Sequence, residues 1–167
     1  AIDKIYTDLK NIPTTKSKQQ LQSGMVIVDN RSGDIVGMAG GVGTKKDHDG
    51  FNRATDSKLQ TGSSKKPLSV YAPAFEVGAI SPVTVIPDLP VSYSGGSFPK
   101  NDNRTYSYSR TIYNGIVNSV NTISVRTLRK IGYDYSYMFS RDKFGLTTLT
   151  DSYETSSGRI MSDLGDS

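Results

Sequence analysis

The sequence predicts an α+β fold, because a β-hairpin pattern and several helical patterns lie in separate parts of the chain. Residues 25–29 and 35–39 are short, mostly apolar runs separated by the turn-forming residues Arg-Ser-Gly-Asp, which is typical of a hairpin. Further along, apolar residues recur at helical spacing in 68–80, 121–131 and 135–144. One small sheet followed by a helical region is therefore the expected order.

The two predicted strands carry apolar residues on both faces. Strands of this kind are normally covered on both sides, so we expect helices or other strands on each face of the hairpin. An amphipathic helix in residues 1–11, stopped by Pro13, precedes it.

The chain has 167 residues, about one domain's worth, with a net charge of +4 and no cysteine. The absence of cysteine excludes disulfides and thiolate metal ligands. No apolar run is long enough to cross a membrane and no signal peptide is present. The chain begins at Ala1 without a methionine, so we expect it to be a piece of a longer protein.

The candidate nucleophile is Ser63, which is followed by Lys66 in Gly-Ser-Ser-Lys-Lys-Pro at the start of the helical run 68–80. Positions three apart share one face of a helical turn, and a neutral amine there can take the hydroxyl proton as the oxygen attacks a carbonyl. The same spacing recurs at 97–100 and 140–143. We interpret those two as an irregular loop and a solvated helix face.

Two prolines predict that the helix after Ser63 starts irregularly and kinks once. Pro67 disfavours helical geometry in the residue before it, and Pro73 removes a further backbone donor. The expected core-facing positions of this helix are Leu68, Tyr71, Phe75 and Ala79.

Other segments offer weaker signals. Residues 81–110 are rich in Pro, Ser, Gly, Asn and Tyr and predict a long surface excursion. Its aromatic and basic residues lack a nucleic-acid-binding motif. His48 lies in Asp-His-Asp-Gly, but the flanking calcium-loop carboxylates are missing, so we predict a solvated histidine and no metal site.

A second polar element, Ser119-Val-Asn121, lies between a short predicted helix in 111–117 and a longer one that Asn121 or Thr122 caps and Gly132 closes. A further predicted helix ends at Gly145, and the tail after Leu146 shows no convincing element.

Together, Ser63-x-x-Lys66 and Ser119-x-Asn121 resemble the active-site motifs of penicillin-binding proteins and serine β-lactamases. The flanking strings Phe-Asn-Arg-Ala-Thr at 51–55 and Ser-Val-Asn-Thr-Ile-Ser-Val-Arg at 119–126 are similar to the class A, bifunctional penicillin-binding proteins in particular. The resemblance implies an antiparallel sheet flanked by helices beside a mainly helical subdomain. It also implies that residues 1–167 are the N-terminal part of a single D,D-transpeptidase domain.

By the same resemblance, Ser63 is the acylated nucleophile and Lys66 its general base. Ser119 relays a proton to the leaving group, and Asn121 hydrogen-bonds the stem-peptide backbone. The implied partners are peptidoglycan stem peptides ending in D-Ala-D-Ala and β-lactam antibiotics, with no metal, no organic cofactor and no nucleic acid. The implied place is the extracytoplasmic face of a bacterial membrane, with the parent protein anchored there and this chain soluble.

The third family motif, Lys-Thr-Gly, does not occur in the chain. In the family it lies on a later strand that also supplies an oxyanion-hole donor. We therefore expect an incomplete fold that is inactive by itself, in the sense that penicillin does not label it at the rate of an intact homologue, unless a second chain carries the missing strands. The alternatives are a serine β-lactamase, a D,D-carboxypeptidase, or a non-catalytic β-lactam-sensing or cell-wall-binding domain.

Overall fold

The structure, a computed structural model, describes residues 2–44, 50–59, 61–93, 96–149, 153–154 and 160–161. The chain divides into two compact units, residues 1–59 and 60–167. The predicted solvated His48 lies outside the described residues. That the whole chain is part of one domain stays a prediction.

The first unit contains helix α1 (Ile2–Thr7), a 3₁₀ helix (Leu9–Asn11) and the antiparallel strands β1 (Met25–Val28) and β2 (Ile35–Ala39). The predicted hairpin is therefore present. The predicted N-terminal helix is interrupted at Asp8, whose carboxylate accepts a hydrogen bond from the backbone of Lys10 and caps the 3₁₀ helix.

The hairpin is much more exposed than its sequence predicts. Five of its apolar side chains are between 41 and 63% exposed: Val26, Ile27, Val28, Ile35 and Val36. Helix α1 packs on β2, where a Cβ at Gly37 would lie 2.7 Å from Ile2 Cδ1. Coverage on both faces is thus wrong for the described residues, because two strands and one short helix leave most of the sheet open.

The second unit carries the helical region. Its helices are a 3₁₀ helix (Gly62–Lys65), a π-helix (Pro67–Tyr71), α2 (Ala72–Glu76), α3 (Ile112–Val117), α4 (Asn121–Ile131) and α5 (Tyr133–Phe144). Gly132, with φ 86°, closes α4, and Gly145, with φ 66°, closes α5. Both ends agree with the sequence, because glycine adopts these conformations without steric cost.

Residues 81–110 form strands as well as loop. β3 (Val85–Asp88) pairs with β6 (Tyr108–Thr111), and β4 (Val91–Tyr93) pairs with β5 (Gly96–Phe98), both antiparallel. The prediction of a plain surface excursion is therefore wrong in part. Inward and outward residues do alternate along β3, but the inward pair includes a carboxylate, Asp88, so the apolar pattern is lost. A last short pair, β7 (Tyr153–Glu154) and β8 (Ile160–Met161), lies in the tail.

The core of the second unit lies where the helices meet β3. Its buried members are Val70, Tyr71, Ala74, Ile80, Ile86, Ile112, Val120, Ile123 and Leu128. Ser140, predicted on a solvated face, is instead completely buried on α5. A serine is small enough to be enclosed where helices approach closely, which polarity alone does not reveal. Helices and small antiparallel sheets together confirm the α+β class.

Candidate active site

The segment that carries Ser63 changes helix type twice. Gly62, with φ 56°, turns the chain into the 3₁₀ helix, which passes into the π-helix and then into α2. Proline at 67 has no N–H to continue the first helix, and the backbone N–H of Ala72 reaches back five residues to the Pro67 carbonyl. The irregular start is thus observed, but Lys66 itself has helical geometry, with φ -50° and ψ -43°, so the effect expected from Pro67 on the residue before it is wrong.

The π-turn also changes which residues face the core. Val70, Tyr71 and Ala74 are buried, whereas Leu68 and Phe75 are 38% and 37% exposed. The predicted face is therefore confirmed at Tyr71 and wrong at Leu68 and Phe75, and Ala79 is half-buried. A π-turn holds more residues than an α-turn, so every position after it is rotated relative to a regular helix.

The 3₁₀ helix aligns Ser63 with Lys66. The backbone N–H of Lys66 donates to the Ser63 carbonyl, and side chains three apart in a 3₁₀ helix lie one above the other. Ser63 is exposed, whereas Lys66 is only 2% exposed. The hydroxyl thus faces solvent at the start of a helical segment, where the backbone dipoles give positive potential.

The Lys66 ammonium is surrounded by neutral oxygen atoms. Nζ lies 3.0 Å from the Ser119 carbonyl and 3.3 Å from Ser119 Oγ, and it also contacts Asn121 Oδ1. Neither ion pair found among the described residues involves Lys66. Burial lowers the pKa of Lys66 from 10.5 to about 8, because an unpaired charge is costly away from water. A fraction of about one tenth is then neutral at pH 7.

Ser119 occupies a backbone position that normally favours glycine. Helix α3 ends with the Val120 N–H bonded to the Gly115 carbonyl and the Ser119 N–H bonded to the Ile116 carbonyl, the two bonds of a Schellman motif. The left-handed residue of that motif is Ser119, with φ 49°. A side chain there costs about 1 kcal/mol relative to glycine, and the same turn directs the Ser119 hydroxyl toward Lys66.

Asn121 links Lys66 to a neighbouring loop. Its Oδ1 accepts from Lys66, and its Nδ2 donates to the Lys100 carbonyl at 2.8 Å. Lys66, Ser119 and Asn121 are therefore in direct contact, although 55 residues separate the first from the last.

Ser63 lies one turn from this group. None of the hydrogen bonds among the described residues involves its hydroxyl, which leaves that oxygen accessible to a reactant. Such contacts often tighten only when substrate is bound. The site contains the exposed Ser63 hydroxyl, the Lys66 amine with its lowered pKa on the same helical face, and the Ser119 hydroxyl in contact with that amine. Together these three groups can support acyl transfer.

A cluster of polar residues around Asp88 was not predicted from the sequence. Asp88 is completely buried at the end of β3 and bonds with Asn101, Ser107, Arg110 and Thr122. Its partners lie 13 to 34 positions further along the chain, so no local spacing marks them. A lone Asp before Leu-Pro carries no signal of its own.

Comparison with known proteins agrees with the motifs. The family model described as the penicillin-binding protein transpeptidase domain matches residues 23–164. A relative named penicillin-binding protein 1A from Clostridium tetani is 32% identical over 150 residues, which cover 86% of this chain and 19% of the relative. Another of the same name from Neisseria lactamica is 35% identical over 131 residues, 75% of this chain and 16% of its own length.

A solved structure of penicillin-binding protein 1A from Haemophilus influenzae has a similar fold. Its TM-score is 0.65 at 30% identity, and the match covers 80% of this chain and 21% of the other. This chain thus spans about a fifth of the length of these relatives. No helix in the described part of the chain is both long and apolar enough to cross a membrane. The α+β transpeptidase-like architecture is confirmed, and the chain belongs to the penicillin-binding protein transpeptidase domain family.

Proposed function

We propose that this chain supplies the nucleophile, the base and the proton relay of a serine D,D-transpeptidase that cross-links peptidoglycan stem peptides. The observation that carries the proposal is the contact of the buried Lys66 amine with Ser119 and Asn121, one helical turn from the exposed Ser63. Family membership supports acyl transfer as the reaction.

In the first step, Ser63 Oγ attacks the carbonyl of the penultimate D-Ala, and neutral Lys66 takes the hydroxyl proton. The peptide C–N bond breaks, and the leaving D-Ala amine receives a proton through Ser119. In the second step, an amine from a neighbouring stem peptide attacks the Ser63 ester and releases the serine. A β-lactam reacts only in the first step, because its amide opens without leaving the site.

Asn121 has the capacity to hold substrate while it positions Lys66. Its Nδ2 carries two hydrogens, of which one is used by the Lys100 carbonyl. The second is available for a backbone carbonyl of the stem peptide. We place the reaction at the extracytoplasmic face of a bacterial membrane, in a membrane-anchored parent protein, and a second chain carrying later strands remains a candidate partner.

Covalent labelling tests the nucleophile. We expect benzylpenicillin to add its full mass to the chain, with the adduct located on Ser63 by peptide mass spectrometry. Incubation should be long, because Lys-Thr-Gly does not occur in these 167 residues, and acyl transfer with one oxyanion-hole donor fewer is slower by about 10²- to 10³-fold.

The matched variants are Ser63→Ala and Ser64→Ala. Ser64 is the adjacent exposed serine, and its hydroxyl donates to the Thr61 carbonyl at 2.7 Å. We expect the adduct to disappear in the first variant and persist in the second. An adduct on another residue, or none on the unmodified chain while the Clostridium tetani relative is labelled, would contradict the proposal.

The lifetime of the adduct separates the proposed reaction from hydrolysis. A transpeptidase holds the β-lactam ester for a long time, whereas a β-lactamase releases it within seconds. Rapid loss of the Ser63 adduct would therefore favour the β-lactamase alternative.

A further inference from the structure

The carboxylate of Asp88 is completely buried, and each of its oxygens accepts two hydrogen bonds. Oδ1 accepts from Asn101 Nδ2 at 2.8 Å and from Thr122 Oγ1 at 2.6 Å. Oδ2 accepts from the Ser107 backbone at 2.9 Å and from Arg110 Nε at 2.7 Å. A buried carboxylate with four donors is fully satisfied, so it fixes the positions of the segments that supply them.

Two of those donors flank a contact of the candidate active site. Asn101 follows Lys100, and Thr122 follows Asn121, whose Nδ2 donates to the Lys100 carbonyl at 2.8 Å. Asn101 also bonds directly to this helix, because its Oδ1 accepts from the Thr122 backbone N–H at 3.2 Å. Asp88 therefore holds both sides of the contact that orients the Asn121 side chain.

We propose that Asp88 is a positioning residue of the site: through Asn101 and Thr122 it fixes the Asn121 amide, and Asn121 in turn fixes the Lys66 amine. The catalytic part of this statement rests on the proposed function, whereas the orientation of the amide does not. Asp88 touches neither Lys66 nor Ser63 by any hydrogen bond of the described residues, so its action passes through its partners.

The charges around Asp88 also favour its role as a positioning residue. Arg110 pairs with Asp88 in an ion pair of which the carboxylate side is completely buried, and Arg110 Nη1 donates to Asn114 on α3 at 2.8 Å. The carboxylate also lies against the first residues of α4, where the helix dipole favours negative charge. The two helices that flank Ser119 are thus tied to one buried anion.

Two threonines on α4 provide a matched test. Thr122 and Thr127 are both completely buried, but Thr122 Oγ1 bonds to Asp88, whereas Thr127 Oγ1 has no hydrogen-bond partner among the described residues. Replacement by valine keeps the shape and removes only the hydroxyl. Thr122→Val and Asp88→Asn therefore disturb the Asp88 contacts, and Thr127→Val does not.

The first readout is the NMR spectrum of the Asn121 side-chain amide in the whole chain. We expect Thr122→Val and Asp88→Asn to shift its hydrogen resonances toward those of a free amide, and Thr127→Val to leave them in place. This measurement needs no acylation, so it tests the positioning even if Ser63 is never labelled. Unchanged Asn121 resonances in folded Thr122→Val would overturn the proposal.

The second readout is the rate of Ser63 labelling by benzylpenicillin. We expect a decrease of about tenfold or more in Thr122→Val, since small displacements of reacting groups cost up to about 10²-fold, and less than about twofold in Thr127→Val. Val125→Ala, a buried packing change on the same helix, serves as the variant of reduced stability. Equal slowing in Thr122→Val and Val125→Ala would mean that Asp88 supports stability alone and would overturn the positioning role.

Discussion

Replacing Lys66 by methionine tests whether burial, rather than a charged partner, controls the pKa of this candidate base. Methionine has a similar length and no charge, so the change removes the ammonium while much of the packing stays. Lys66 is 2% exposed, contacts only neutral oxygens through its hydrogen bonds, and has a pKa lowered from 10.5 to about 8 by burial. Carrying the charge should therefore cost the folded protein stability.

The size of this cost follows from the two pKa values. The interval from 10.5 to about 8 corresponds to about 3 kcal/mol, which is an upper limit because water that reaches the ammonium screens its charge. Between pH 8 and 10.5 the unfolded chain binds more protons at this position than the folded chain, so stability rises with pH across that window. Below pH 8 the full penalty remains.

Urea unfolding followed by far-UV circular dichroism, at pH 7 and at pH 10.5, measures the effect. Relative to Lys66→Met, we expect the unmodified chain to gain about 2 to 3 kcal/mol between the two pH values. Lys16→Met, which removes the charge of an exposed lysine and keeps Lys66, controls for net charge and tyrosine ionisation and should gain as much as the unmodified chain does. A difference between the unmodified chain and Lys66→Met that stays constant with pH would refute the argument that burial lowers the pKa.

Ser119 and Asp88 each give a further prediction. Ser119→Gly should be about 1 kcal/mol more stable than Ser119→Ala, because both lack the hydroxyl and only glycine relieves the left-handed backbone at φ 49°. Thermal unfolding of the two variants measures this difference. Equal stabilities would contradict backbone strain at position 119. For Asp88, burial acts to raise the pKa, but hydrogen bonds from Thr122, Arg110, Asn101 and the Ser107 backbone outweigh it and lower the pKa from 3.8 to about 2. The unmodified chain should therefore lose about 2 kcal/mol as the pH falls from about 4 to 2, whereas Asp88→Asn should lack this part of the acid titration; identical acid profiles would exclude Asp88 as its source.

The sequence predicted a structural feature correctly where the residues that determine it are neighbours in the chain. The hairpin turn, the glycine ends at 132 and 145, and the Ser63-Lys66 spacing each depend on a few consecutive positions. Even there, the core-facing side of the helix after Ser63 could not be predicted, because a single π-turn rotated all later residues. Periodicity arguments assume one helix type throughout, and this segment has three.

The features that could not be predicted from the sequence depend on contacts between residues that are distant in the chain. Asp88 acquires its partners only when β3, β6 and the start of α4 come together. The same holds for Lys66, since its lowered pKa depends on burial against residues more than 50 positions away. A Ser-x-x-Lys pattern therefore identifies a candidate pair, whereas the surrounding fold decides whether the lysine can act as a base.

The two buried charges of the second unit are stabilised in different ways. Asp88 and Lys66 are both buried, and no hydrogen bond or ion pair among the described residues joins them. Arg110 pairs with Asp88 instead, and burial is the cause of the lowered Lys66 pKa. Asp88 can thus organise the start of α4 through hydrogen bonds while its charge is neutralised by Arg110.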